Sequence, residues 1–80
     1  MPTFYREAGL EFFFRAADGP EPPHVHVRGN GGKAKLWLRR DVEVAFLAGY
    51  DQSIERRIMR IARRHRVDWL AAWHGFFGHR

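Results

Sequence analysis

Cysteine is absent from this chain, which excludes disulfide staples, thiolate catalysis and any zinc or iron–sulfur site built on sulfur. Only His, Asp and Glu remain as side-chain metal ligands. Serine occurs once, at Ser53, outside any Gly-x-Ser-x-Gly pattern, and Gly29-Asn30-Gly31-Gly32 lacks the Lys-Ser or Lys-Thr that completes a phosphate-binding P-loop. Met1-Pro2-Thr3-Phe4 lacks the basic n-region and apolar h-region of a signal peptide, and no apolar run approaches the length that crosses a bilayer. We therefore expect a cytoplasmic protein that makes no use of a membrane.

What the chain does hold is aromatic and basic. Seven Phe, three Trp and two Tyr in 80 residues give one expected domain, residues 1–80, enough apolar bulk for a modest core. The formal charge is +5 and lopsided: residues 51–80 carry seven Arg against Asp51, Glu55 and Asp68, whereas residues 1–50 are close to balanced. Such an excess steers acidic partners, whether nucleic acid or acidic protein, towards the C-terminal half.

Turn signals punctuate the first half at Ala8-Gly9, at Asp18-Gly19-Pro20 through Pro23, and at Gly29-Asn30-Gly31-Gly32. Between them Thr3 to Glu7, Leu10 to Ala16, His24 to Arg28 and Lys33 to Arg39 read as four strands of an antiparallel meander, with Asn30-Gly31 the strongest hairpin signal. Val42 to Leu47 reads as a fifth strand or a short helix. After Gly49 the period changes, and Ile54, Ile58, Ile61, His65, Trp69, Trp73 and Phe76 recur every three or four residues behind a candidate N-cap, Asp51. These patterns predict an α+β fold. A β-meander of four or five strands over about 3–47 precedes one long or two short helices over about 52–77, packed on one face, with any bend at His65 to Asp68.

Strand alternation assigns the faces. Ala34, Leu36 and Leu38 belong to the core, so Lys33, Lys35, Trp37 and Arg39 point the other way; Val25 and Val27 likewise send His24, His26 and Arg28 to that open face, away from the helix. Leu10, Phe12 and Phe14 face inward and leave Phe13 outside. The open face is then basic and aromatic, suited to stacking on bases or gripping an acidic protein, unless the helix or a second subunit covers Phe13 and Trp37.

His24 and His26 stand at i and i+2 on one strand, the spacing of two metal ligands or of an acid–base pair. A third ligand would have to come from Glu11, Glu21, His65, His74 or His79, and no His-Glu-x-x-His motif or acid-rich loop accompanies them. We therefore expect no metal and no cofactor. As proton-transfer groups beside an arginine, His24 and His26 are the residue types of a metal-independent ribonuclease. A separate signal is the run Arg56, Arg57, Arg60, Arg63, Arg64 and Arg66, in which Arg56, Arg60 and Arg63 form one stripe at helical spacing. It reads either as a solvated helix face or as a docking surface, and binding that weakens steeply with salt would identify nucleic acid as its target.

Several of these elements together resemble the small bacterial family catalogued as domain of unknown function four-one-six-zero. The matching elements are Met1-Pro2-Thr3, Phe12-Phe13-Phe14, Glu21-Pro22-Pro23-His24-Val25-His26-Val27, Ala34-Lys35-Leu36-Trp37-Leu38, Gly49-Tyr50, and Ala72-Trp73-His74 with Phe76-Phe77. The family has no established reaction; the resemblance implies a short stand-alone protein encoded beside another small protein, as in toxin–antitoxin modules or on mobile elements. Arg at 56, 57, 60, 63 and 64 replaces acid-rich helix positions of the family, which implies a changed, acidic target.

Residues and resemblance together predict a non-enzymatic interaction protein of toxin–antitoxin or phage anti-defence type, similar in role to an anti-CRISPR inhibitor. It would bind an acidic protein or nucleoprotein through Arg28, Lys33, Lys35, Trp37 and Arg39 on the sheet and Arg56, Arg57, Arg60, Arg63 and Arg64 on the helix. The alternatives are a ribonuclease-like toxin using His24 and His26, and a module that binds DNA or RNA directly. A homodimer through an edge strand stays open.

Overall fold

Asn30 and Gly31 both adopt positive φ, 52° and 83°, the backbone of a two-residue type I′ hairpin whose twist matches that of its strands. That turn sets the register of the two strands it joins in the computed structural model of the chain, which describes residues 3–78. The strands are β1 (Thr3–Glu7), β2 (Leu10–Phe13), β3 (His24–Gly29), β4 (Gly32–Leu38) and β5 (Val42–Ala48), antiparallel in the order β1-β2-β3-β4-β5. Val42 to Ala48 is a strand, which settles the choice left open for that segment. A register shift beyond Lys35 leaves Ala45 as a bulge, with Lys35 opposite Phe46 and Leu36 opposite Val44.

The first hairpin turns through Ala8 and Gly9, at φ 57° and 78°. Alanine in the left-handed region pays a steric cost that asparagine, common at this turn position, largely escapes. Ala8→Asn should therefore stabilise the fold by about 0.5–1 kcal/mol, seen as a melting temperature a few degrees higher. An unchanged or lower melting temperature would contradict it.

Helix α1 runs unbroken from Gln52 to Phe77, with Asp51 capping its start by accepting a 2.8 Å hydrogen bond from the Ile54 N–H. One helix, not two, spans 65–68. Ile58, Ile61, Ala62, Trp69 and Trp73 are buried against Leu10, Phe12, Val25, Val27, Ala34 and Leu36, so the core lies between one face of the sheet and one stripe of the helix. No described helix is long and apolar enough to cross a membrane.

Three expectations need correction. The second strand stops at Phe13, and a 3-10 turn, Ala16–Asp18, follows it. Phe76 is half exposed; Phe77, four residues on from Trp73 and so on the same stripe, packs on the core instead. Phe13 is 5 % exposed rather than open, because His26 stacks on its ring and the guanidinium groups of Arg28 and Arg15 lie over it.

Candidate functional site

Strand β3 pairs His24 with Trp37 and His26 with Lys35 as expected, but His24 does not look away from the helix, since its ring centroid lies 5.0 Å from that of Trp73. The face they share is also covered at this end. The chain leaving β2 turns through Ala16–Asp18 and returns through Pro20, Pro22 and Pro23, and the return buries Asp18, His24 and His26 to 5 %, 0 % and 8 % exposure. The reading of the two histidines as solvated surface groups is thereby corrected. The third group beside them is Asp18, which the sequence presents only as part of a turn.

The turn aims this carboxylate inward. The Arg15 N–H donates to Asp18 Oδ2 at 2.7 Å while the Asp18 N–H donates to the Arg15 carbonyl at 3.0 Å. His26 Nε2 lies 3.0 Å from Oδ2 and 3.2 Å from Oδ1 of Asp18, and His24 Nε2 lies 3.2 Å from Oδ1. His24 Nδ1 is 2.9 Å from the Pro22 carbonyl, which can only accept, so Nδ1 carries a proton. Its Nε2 is buried and makes no hydrogen bond, its approach to Asp18 having the distance but not the geometry of one. The rings of Trp37, Trp73 and His26 surround the His24 imidazole, with centroids 5.4, 5.0 and 5.0 Å away.

Burial lowers the pKa of His26 below its ordinary value, and the hydrogen bond to Asp18 offsets that only in part. Burial works to raise Asp18, yet the Arg15 N–H and the His26 hydrogen bond outweigh it and hold the carboxyl below its usual range. Both groups therefore take up protons more readily in the unfolded chain. Their contribution to stability is complete above the ordinary histidine value of 6.5, declines as pH falls through the lowered pKa of His26, and declines again below 3.8 as Asp18 is protonated. Urea denaturation across that range is the check. His26→Gln should remove the first decline and keep the second; a first decline that survives the substitution would contradict the assignment.

The other candidate ligands lie apart from this cluster. Glu11 pairs with Arg6 and Arg28, Glu21 pairs with Lys35, and His65 stacks on Trp69 and lies tilted against Tyr5. His74 borders the Pro22–Pro23 return, and His79 lies outside the described residues.

The basic residues divide into neutralised and free. On the sheet, Arg28 pairs with Glu11 at 2.7 Å, Lys35 with Glu21 at 2.6 Å and Arg39 with Glu43 at 3.2 Å, while Lys35 and Arg39 also flank the half-buried Trp37 ring. Lys33 is exposed. It helps to line a pocket of about 310 Å³ with Phe13, Arg15, His26, Arg28 and Phe46, so only His26 of the pair borders an opening. On the helix, Arg63 pairs with Asp41 at 3.3 Å, Arg64 pairs with Glu7, and Arg66 donates to the Arg39 carbonyl. Arg56, Arg57 and Arg60 are exposed and make no ion pair with the described residues. Arg56 and Arg60 stand beside a groove of about 620 Å³ between β5 and α1, lined also by Val44, Glu55, Met59 and Arg63.

Sequence reasoning missed Asp18 because nothing periodic links it to the histidines. The available signal was its place: Asp18 is the single acid between Glu11 and Glu21, and the prolines that follow turn the chain back towards the strand that starts at His24.

No curated protein and no solved structure matches this chain. A family model does, over residues 9–74, which takes in strands β2 to β5, the Asp–His–His cluster and most of the helix. The chain belongs to that family, described as Domain of unknown function (DUF4160).

Proposed function

We propose that this protein is a small non-enzymatic interaction protein of toxin–antitoxin or anti-defence type, acting in the cytoplasm, and that its partner is an acidic protein. The observation that carries the reading is the groove between β5 and α1. Val44, 40 % exposed, and the partly buried Met59 give it an apolar floor, and Arg56 and Arg60 stand on its rim beside Glu55, with no ion pair among the described residues. Arg56 and Arg60 are one helical turn apart and repel each other at a cost of a few tenths of a kcal/mol, which an acidic partner would recover. An apolar floor with an arginine rim fits an acidic segment that also carries an apolar anchor. The same features favour protein over nucleic acid, since the sheet face supplies no continuous basic track once Arg28, Lys35 and Arg39 are paired.

The two-histidine ribonuclease reading gains less support. His24 has no exposed surface, so only His26 borders a space that a substrate enters.

The test is capture of the partner from the native host after nuclease treatment, identification, and reconstitution from purified components. Wild type should bind, and Arg56→Glu combined with Arg60→Glu should weaken binding at least about tenfold, chiefly through slower association, with an unchanged circular dichroism spectrum. Undiminished binding by the double variant removes the groove from the interface. Capture that disappears with nuclease assigns the surface to nucleic acid instead.

A further inference from the structure

We infer that Asp18, His24 and His26 form a binding site for one divalent ion of the zinc class. Three donor atoms, one from each residue, lie within 4.8 Å of one another among buried side chains. The separations carry more information than the clustering. A tetrahedral ion about 2.0–2.1 Å from its ligands sets them about 3.3 Å apart. His24 Nε2 to Asp18 Oδ1 is 3.2 Å and His26 Nε2 to Asp18 is 3.0 and 3.2 Å, while the two imidazole nitrogens lie within 4.8 Å of each other, so an ion entering here would draw the rings together.

The protonation pattern points the same way. With a proton held on Nδ1 by the Pro22 carbonyl, His24 turns its Nε2 towards Asp18 Oδ1, 3.2 Å away. A shared proton would make a hydrogen bond, and Nε2 makes none, although the ring is completely buried. A metal ion needs the lone pair and not that alignment. The outer hydrogen bonds are also those of a ligand set: the carbonyl of Pro22 fixes the His24 tautomer and the Arg15 N–H fixes the carboxylate.

Two imidazoles, one carboxylate and no thiolate suit zinc and its neighbours, whereas magnesium and calcium ask for more oxygen donors. Three protein ligands leave one position for water or a donor from outside. An ion here would join the Ala16–Asp18 turn to the start of β3 and so lock the segment that covers the histidines.

The experiment uses the full chain, stripped with chelator and titrated near neutral pH with Zn²⁺, then with Co²⁺ as a spectroscopic probe. One ion per chain should bind with a Kd of about 10 μM or tighter, Co²⁺ should show the visible bands of low coordination number, and the melting temperature should rise with Zn²⁺ and not with Mg²⁺. Asp18→Asn and His24→Gln should each weaken binding at least about tenfold, while His65→Gln leaves it intact. Should the first two variants fail to fold, histidine NMR of the wild-type chain gives the answer, because Zn²⁺ must shift the His24 and His26 ring nitrogens. Absence of stoichiometric binding, or binding that shifts other histidines only, would overturn the site.

Discussion

Trp73→Ala is expected to destabilise the fold by about 3–5 kcal/mol, the range for removing a buried Trp from a core. A chain of this length has a total stability of about 4–12 kcal/mol, so the variant should melt at least about 12 °C lower. Trp73 is 3 % exposed and packs at once on Phe14, His24 and Phe77, with ring centroids 5.3, 5.0 and 4.2 Å away. It thus joins the apolar core to the Asp–His–His cluster, and its loss opens both. Phe76, in the same turns of the helix but 51 % exposed, is the control: Phe76→Ala should shift stability by only about 0.5 kcal/mol. Similar losses at the two positions, measured by urea denaturation, would mean that the helix faces have been assigned wrongly.

Asp18→Ala, measured with chelator present, should cost about 2–4 kcal/mol. The substitution removes the acceptor for the Arg15 N–H and for His26, and leaves the buried His26 imidazole without its hydrogen-bond partner. Most of that cost comes from the groups left behind. It should therefore shrink in a chain that already carries His26→Phe, where one of the stranded groups is gone and Phe13 still has a ring to stack on. Equal costs in the two backgrounds would show that Asp18 acts through the Arg15 turn alone.

The helical arginines divide along the same line between local pattern and tertiary contact. Their spacing was readable, but Arg63 and Arg64 find Asp41 and Glu7, residues 22 and 57 positions away, and no local rule anticipates such pairs. Arg56, Arg57 and Arg60, which make no ion pair among the described residues, form a smaller surface than the run in the sequence suggests.

Periodicity and turn chemistry alone determined the meander, its Asn30-Gly31 hairpin, the inward placing of Val25, Val27, Leu36 and Leu38, and a C-terminal helix started by Asp51. Those properties depend on neighbours within a few residues, where sterics and hydrogen bonding leave few choices. The identity of the site was decided only by tertiary structure. Alternation says which side of a strand His24 and His26 occupy and nothing about what lies on that side. The cover comes from the irregular, proline-bearing segment between β2 and β3, whose path is fixed by packing against Trp73 and Phe77 and by the hydrogen bonds of Asp18. Burial and a third donor turn an ordinary pair of strand histidines into a site, and both are products of that long-range contact.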